Sequence, residues 1–401
     1  MKVVIMAGGK GTRIAGIDSK LPKPMLPIAG KPILEWQLDC LRKQGIDDIT
    51  ISIGHLGNTI RNHFGNAVEY IEEYEPLGTA GALFYIKDTV KEDFLLINGD
   101  VIFDVDIQRF IDSHKKNNTT ATILTHPNDH PYDSGIVVTG QDGIVMDWLT
   151  KEDKRGYYKN RVNAGLHMFS PQILDKFIDL KKTDLDRDIL KPMIKSGNLH
   201  VYDSPEYVKD VGAPERFDEV ERDIISGKVA ARNLANKQKA VFIDRDGTIN
   251  EYVGFLRDID SFRLIDGVAE VIKKINQSGY LAIVVTNQPV IARGDVTWQE
   301  LDEIHNKMET LLGNEGAYLD DIYICPHHPD KGFEGEVLEY KIKCDCRKPK
   351  PGMLIAVAKK YNIDIAKSYM VGDSEADKLA GERAGCAKYF ESLELLAAFL
   401  E

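Results

Sequence analysis

The chain has 401 residues, enough on length alone for two or three domains of about 150 residues, each with its own core. A formal net charge of −12 excludes a broad basic field for a nucleic-acid backbone, so any phosphate chemistry must rest on local lysines and arginines. Five cysteines, three of them clustered, suit a metal site in a reducing compartment better than a disulfide framework, and no apolar run is long enough for a signal peptide or a membrane span; the expected location is the cytoplasm, with no membrane partner.

In chain order, the first predicted strand covers residues 3–7 and runs into Gly8-Gly9-Lys10-Gly11-Thr12-Arg13. Glycines there let backbone N–H groups approach a polyphosphate without Cβ obstruction, while Lys10 and Arg13 supply charge. Next comes Leu21-Pro22-Lys23-Pro24-Met25-Leu26-Pro27, in which two prolines clamp one lysine in an extended segment. Predicted strands at 49–53 and 94–97 alternate with segments of helical period, the pattern of an α/β sheet. Between them, Leu77-Gly78-Thr79-Ala80-Gly81 offers bare backbone to the edge of a nucleobase. Asp100 stands at the end of the second of these strands, and Asp210 stands in Val208-Lys209-Asp210-Val211-Gly212; two such carboxylates can hold one Mg²⁺ against a nucleotide's phosphates.

These strings, with Pro-Lys-Pro-Met-Leu-Pro, Leu-Gly-Thr-Ala-Gly-Ala, Asn-Gly-Asp, Asn163-Ala164-Gly165 and Asp210-Val211-Gly212-Ala213-Pro214-Glu215, resemble the sugar-1-phosphate nucleotidylyltransferases over residues 1–222, most closely the guanylyltransferases acting on mannose or heptose 1-phosphate. The resemblance implies that a sugar phosphate oxygen attacks the α-phosphorus of the nucleotide and pyrophosphate leaves. It places Gly8, Gly11, Thr12 and Arg13 around the triphosphate, Gly78 and Thr79 at the nucleotide, and Lys23 at the reacting phosphate. It also assigns Asp100 and Asp210 to Mg²⁺, Gly135 and Asn163 to the sugar, and Lys151 to the sugar phosphate. Where many relatives carry Glu-Lys before the Asn-Ala-Gly strand, this chain has Thr150-Lys151.

Residues 223–239 have helix-forming composition and no phosphate motif, and are expected to form a helical linker. A second domain, residues 240–401, starts with a strand that delivers Asp244 and Asp246 to one loop. Two carboxylates so placed can divide labour, one attacking phosphorus and the other exchanging a proton with the leaving oxygen. Strands at 280–286, 322–325 and 369–373 follow, ending respectively in Thr286-Asn287-Gln288, the Cys325-Pro326-His327 segment and Gly372-Asp373-Ser374. Arg347 and Lys348 come directly after Cys344-Asp345-Cys346.

That order of motifs resembles the haloacid-dehalogenase (HAD) phosphatases, in particular the heptose 1,7-bisphosphate 7-phosphatases and the histidinol phosphatases. The resemblance implies that Asp244 is the nucleophile forming an aspartyl-phosphate and Asp246 the acid and later base. Asp244, Asp246 and Asp373 are implied at Mg²⁺, Thr286, Asn287 and Lys348 at the phosphoryl group, and Arg347 at the substrate. Cys325, His327, Cys344 and Cys346 form a set that can close a tetrahedral, structural Zn²⁺ shell, with His328 as a fallback ligand. Relatives usually have Ser-Gly after the Asn-Gln, where this chain has Pro289-Val290.

The expected fold class is therefore α/β with two Rossmann-like domains: a mixed GT-A-like nucleotidyltransferase sheet, then a parallel HAD-like sheet with a zinc loop. The expected function is bifunctional synthesis of GDP-D-glycero-α-D-manno-heptose for surface polysaccharide, from heptose 1,7-bisphosphate and GTP, with Mg²⁺ in both sites. Two alternatives stand beside it. One is a hexose or amino-sugar 1-phosphate nucleotidylyltransferase fused to a phosphatase of other specificity, such as histidinol phosphate. The other is a nucleotide-sugar sensor regulating the phosphatase, against which Lys23, Asp100 and Asp210 together argue. Partners are expected to be small molecules, and a homo-oligomer is compatible with the sequence. Cys40 and Cys386 are expected to pack in helices, His114, His126 and His130 to lie at the surface or in loops, and residues 393–400 to form an amphipathic helix covering a sheet.

Overall fold

Alternate residues of the first strand, Val3–Met6 (β1), feed opposite faces of a sheet: Val3 and Ile5 join one apolar cluster and Val4 the other. The same division holds in Phe94–Asn98 (β6), where Leu95 and Ile97 face one side and Phe94 and Leu96 the other. Both faces are thus covered, as a sheet with apolar residues at every position requires. The computed structural model describes residues 1–9, 21–332 and 334–400.

The remaining strands of the N-terminal part are Pro27–Ile28 (β2), Lys31–Pro32 (β3), Ile49–Ile53 (β4), Glu69–Glu72 (β5), Val101–Asp104 (β7), Ala121–His126 (β8), Ile136–Thr139 (β9), Val145–Leu149 (β10), Val162–Phe169 (β11), Leu199–Asp203 (β12) and Tyr207–Asp210 (β13). The main sheet runs β10-β9-β11-β6-β1-β4-β5, with β8 beside β11 and β12 beside β8. β1 is parallel to β4 and β6, and β11 is antiparallel to β6, so the sheet is mixed. A separate two-stranded ribbon pairs β7 with β13, setting Asp210 opposite Val101.

The second compact unit is built on Lys239–Ile243 (β14), Tyr280–Asn287 (β15), Asp321–Cys325 (β16), Tyr369–Val371 (β17) and Lys388–Phe390 (β18). All pairs in its sheet are parallel, in the order β16-β15-β14-β17-β18. Mixed sheet and parallel sheet are the two α/β architectures expected from the sequence. The chain divides at Asn233 and Leu234, and two earlier stretches, Pro127–Ile136 and Leu149–Val162, also belong to the second unit. They lie against the helix Trp298–Asn314: the Tyr158 N–H donates to Thr310 Oγ1 at 2.9 Å, and Arg161 pairs with Glu309 at 3.2 Å with both side chains buried. Residues 223–239 carry the end of the helix Pro214–Ile225, the short helix Lys228–Ala231 and the first residue of β14.

Of the smaller expectations, those for His114 and Cys386 are corrected by the structure and those for Cys40 and residues 393–400 are met. His114 is buried, with Nδ1 at 2.8 Å from Thr122 Oγ1 and Nε2 at 3.2 Å from Ser170 Oγ, because the helix Ile107–Asn117 turns that face inward. Cys386 lies just past the helix Glu375–Ala384, after its Gly385 cap, whereas Cys40 is buried within the helix Ile33–Lys43. The helix Leu393–Leu400 buries Leu393 and Leu396 against the parallel sheet's core and exposes Leu395 and Phe399, as expected. Among the described residues, no helix is long and apolar enough to cross a membrane.

Candidate active sites

At the carboxyl ends of β1 and β6 the first unit gathers its candidate residues, which is where open α/β sheets hold ligands. Gly8 follows β1; Lys10, Gly11, Thr12 and Arg13 lie outside the described residues. Lys23 opens the short 3₁₀ turn Lys23–Met25, and its Nζ lies 2.5 Å from Asp100 Oδ2. The Asp100 carbonyl accepts the Val211 N–H at 2.9 Å, so the β7–β13 ribbon brings Asp100 and Asp210 side by side, 110 positions apart in sequence though they are. Asp210 is ion-paired with Arg216, a residue the sequence reading did not single out although it follows the Asp-Val-Gly-Ala-Pro-Glu string directly. As hard oxygen donors, the two carboxylates would suit a Mg²⁺, which would supply charge neutralisation at a nucleotide's phosphates.

Gly78 takes φ +82°, and a Cβ there would stand 2.4 Å from the Thr183 carbonyl oxygen. Only glycine allows this approach, which lets residues 77–80 bond to residues 183–185: the Leu185 N–H donates to Thr79 Oγ1 at 2.8 Å. Asn163, in β11, accepts at Oδ1 from the Gly165 N–H at 3.2 Å and from the buried His167 Nε2 at 3.1 Å, so its NH₂ is the end left for a ligand. Burial holds the pKa of His167 at about 3 and the ring neutral. Gly135 and Lys151 lie in the two stretches that belong to the second unit, Lys151 exposed in a turn that Asp153 closes by accepting from Thr150.

In the second unit, the cleft beyond β14 and β15 has a volume of about 210 Å³ and is lined by Asp244, Asp246, Thr286, Arg347, Lys348 and Asp373, among others. Lys348 Nζ lies 2.7 Å from Asp244 Oδ1 and 2.5 Å from Asp377 Oδ1, and donates to the Val285 carbonyl at 2.7 Å. Burial alone would favour neutral lysine; the two carboxylates outweigh it and hold the pKa of Lys348 above the ordinary lysine value. For Asp244, burial and then the neighbouring Asp377 push the pKa up to about 6 against the pull of Lys348. Asn287 exchanges two hydrogen bonds with the Lys348 backbone, both 3.0 Å, so its amide fixes the lysine rather than facing the cleft freely.

Asp244, Asp373 and Asp377 present carboxylate oxygens within 4.8 Å of one another. Gly247, at φ +81°, is required beside them, because a Cβ would lie 2.0 Å from Asp373 Oδ2. This acidic trio fits a hard divalent cation. Asp377 also closes a capping box with Ser374 at the start of its helix. The Asp246 carboxylate is turned instead to Arg245, Asn250 and Gln288; Gln288 is in the string expected to bond the phosphoryl group but bonds Asp246 and Arg245, the sequence reading gives Arg245 and Asn250 no role in the site, and their buried companion His305 sits in a helix with no local signal.

Cys325, His327, Cys344 and Cys346 converge with sulfur–sulfur and sulfur–nitrogen separations of 3.3–3.7 Å. Those are the edges of a tetrahedron, for which four ligands near 2.3 Å from a Zn²⁺ give about 3.8 Å. His328, the fallback ligand, stands outside the cluster. Arg347 donates to the His327 carbonyl at 3.2 Å and so is tied to this loop.

Aspartates at the ends of parallel strands around a buried lysine form a site suited to phosphoryl transfer, and Lys23 beside Asp100 and Asp210 in the first unit forms another. The nucleotidyl transferase family matches residues 2–227 and the haloacid dehalogenase-like hydrolases match residues 195–385. The D-glycero-beta-D-manno-heptose-1,7-bisphosphate 7-phosphatase of Haemophilus ducreyi is 48% identical over 149 residues, 37% of this chain and 79% of that protein. Its counterpart in Escherichia coli K12 is 43% identical over 151 residues, 38% of this chain and 77% of that protein. Among solved structures, HddC from Yersinia pseudotuberculosis is similar at 28% identity, covering 56% of this chain and 99% of that one, with a TM-score of 0.49. The chain belongs to the nucleotidyl transferase family in its N-terminal part and, in its C-terminal part, to the heptose-bisphosphate phosphatase family of haloacid dehalogenase-like hydrolases.

Proposed function

We propose that the protein catalyses two consecutive steps: removal of the 7-phosphate from D-glycero-α-D-manno-heptose 1,7-bisphosphate, then transfer of GMP from GTP to the resulting heptose 1-phosphate. The observation that carries this reading is Lys348 held between Asp244 and Asp377 in a phosphatase unit that shares a chain with a nucleotidyl transferase. The product of a 7-phosphatase is a sugar 1-phosphate, the substrate class of the other unit. The α anomer and guanine follow from the guanylyltransferase resemblance of residues 1–222.

In the phosphatase, an Asp244 carboxylate oxygen attacks phosphorus and the bond from phosphorus to the sugar oxygen breaks, while Asp246 gives that oxygen a proton. Water then attacks the aspartyl-phosphate, Asp246 takes the proton, and inorganic phosphate leaves. Lys348 and Thr286 stabilise the phosphoryl oxygens. Asp244 and Asp373 would hold a Mg²⁺, which when bound neutralises phosphoryl charge. In the transferase, a phosphate oxygen of the sugar 1-phosphate attacks the α-phosphorus of GTP and the bond to the bridging β-phosphate oxygen breaks, releasing pyrophosphate. Lys23 balances charge at the reacting phosphate, the NH₂ of Asn163 donates to the sugar, and Asp100 with Asp210 would hold Mg²⁺. Cys325, His327, Cys344 and Cys346 would hold a structural Zn²⁺ that fixes the approach of Arg347 to the substrate.

The test is to incubate the purified protein with each anomer of heptose 1,7-bisphosphate and each of the four NTPs, with Mg²⁺, and to identify products by mass. Inorganic phosphate, pyrophosphate and GDP-heptose from the α anomer are expected. Absence of phosphate release from either anomer, or a nucleotide sugar formed only with another NTP, overturns the reading.

A further inference from the structure

Arg245 stands between the two reacting aspartates in sequence, yet its side chain is wholly buried and its guanidinium is ion-paired with Asp246. Its Nε and one terminal nitrogen meet Asp246 Oδ1 at 3.0 and 2.7 Å, and that same nitrogen meets Asp246 Oδ2 at 2.8 Å and Gln288 Oε1 at 3.0 Å. The other terminal nitrogen lies 3.1 Å from His305 Nε2. A guanidinium only donates, which decides the polarity of everything around it. His305 must offer a lone pair at Nε2 and carry its proton on Nδ1. Gln288 must turn its carbonyl to Arg245, so its NH₂ faces the other way, where it donates to Asp246 Oδ2 at 2.9 Å and to Thr286 Oγ1 at 2.8 Å. The Thr286 oxygen is thereby an acceptor, and its hydrogen is the part left for the cleft that Thr286 lines.

We propose that Arg245, anchored by His305, is a positioning residue of the phosphatase reaction: through Gln288 it aims the Thr286 hydroxyl as a donor to the phosphoryl group, and through its paired bonds it fixes the carboxylate that exchanges a proton with the leaving sugar oxygen. The inference rests on the phosphatase reading above. One chain of bonds, from His305 in the helix Trp298–Asn314 through Arg245 and Gln288 to Thr286 at the end of β15, sets the direction of every hydrogen in it. The second carboxylate is held apart by it, while Lys348 keeps the first. Residues forced into one protonation and one amide orientation by a donor-only neighbour are pre-organised, which is what stabilising a phosphoryl transition state requires.

The test compares heptose 1,7-bisphosphate, whose sugar oxygen needs a proton as it leaves, with p-nitrophenyl phosphate, whose phenolate does not. His305→Leu is expected to lower kcat on the bisphosphate by about tenfold to a hundredfold and on p-nitrophenyl phosphate by clearly less, whereas His305→Gln, which keeps an acceptor, restores most of the bisphosphate rate. Equal losses on both substrates, or no rescue by glutamine, overturn the proposal. Should His305→Leu not fold, the near-isosteric Gln288→Glu, which still accepts from Arg245 but cannot donate to Thr286, is expected to lower kcat on both substrates by about tenfold while beryllofluoride, a mimic of the phosphoryl group, still binds one per chain; wild-type kinetics in that variant overturn it as well. Phosphate release by the wild-type protein from the bisphosphate is measured alongside, so that failure of the phosphatase reading itself is seen separately.

Discussion

At the scale of single residues, Asp244 carries the sharpest expectation. Replacing it with asparagine keeps size and removes the nucleophile, so phosphate release should fall to background while pyrophosphate formation continues at the wild-type rate; equal loss of both in a folded variant contradicts the assignment. Asp100→Ala should do the reverse, because it removes a metal carboxylate and leaves Lys23 without the partner 2.5 Å away. Product analysis by mass distinguishes the two. His167 gives a pH prediction. Its pKa is about 3 in the folded protein against about 6.5 unfolded, so the unfolded chain binds the proton more readily between those values. The stabilisation from the neutral ring is therefore complete above about pH 6.5 and is lost as pH falls, by about 2 kcal/mol at pH 5. Urea midpoints of wild type and His167→Gln at pH 7 and pH 5 check this: the loss on acidification should be smaller in the variant.

At the scale of elements, the Cys325–Cys346 loop carries the proposed zinc set, and its order is expected to depend on that ion. Three thiols and one imidazole at the corners of a tetrahedron hold Arg347 through the His327 carbonyl and lead straight into Lys348. Zinc removal by a chelator with Mg²⁺ restored, or Cys344→Ser, should weaken phosphatase activity without unfolding the parallel sheet and without touching nucleotidyl transfer. Elemental analysis of protein purified without chelator should find one zinc per chain, and its absence would remove the premise. The loop after β14 is tied by its own backbone, the Gly247 N–H donating to the Asn250 carbonyl at 2.8 Å. Gly247→Ala would force φ +81° on a residue with a Cβ and drive that Cβ into Asp373, which should cost at least about 1–2 kcal/mol and most of the phosphatase activity.

At the scale of the whole molecule, two stretches of the N-terminal half are structurally part of the second unit, and their buried ion pair supplies a test. Arg161→Ala would remove the buried guanidinium 3.2 Å from Glu309, whose side chain is 2% exposed, and breaking such a buried pair costs about 3–5 kcal/mol. The melting transition of the phosphatase unit should fall accordingly, whereas Arg161→Lys should fall less. A variant melting with the wild type would show that the pair carries no such weight.

How much of this was legible beforehand follows from the distance over which each feature is determined. Chemistry carried by a short loop is local: Asp244 and Asp246, Lys23, Thr286 and the Cys-x-His and Cys-x-Cys pairs each announce themselves within a few residues, and the uninterrupted apolar runs of β1 and β14 mark buried strands of both sheets. The order of these motifs along the chain also defines two enzymes in succession. What the sequence left open is whatever depends on which strands lie side by side. The β7–β13 ribbon makes neighbours of Asp100 and Asp210, and with them Arg216; the turn of Asp246 toward Arg245 rather than toward Asp244 depends on Gln288 at the end of another strand and on His305 in a helix. The exchange of Pro127–Ile136 and Leu149–Val162 into the second unit is of the same kind. Residue type and local spacing determine the reaction class because bond-making groups must sit on short loops, whereas orientation, protonation and pairing are decided by contacts between residues 40 to 150 positions apart, which only tertiary packing brings together.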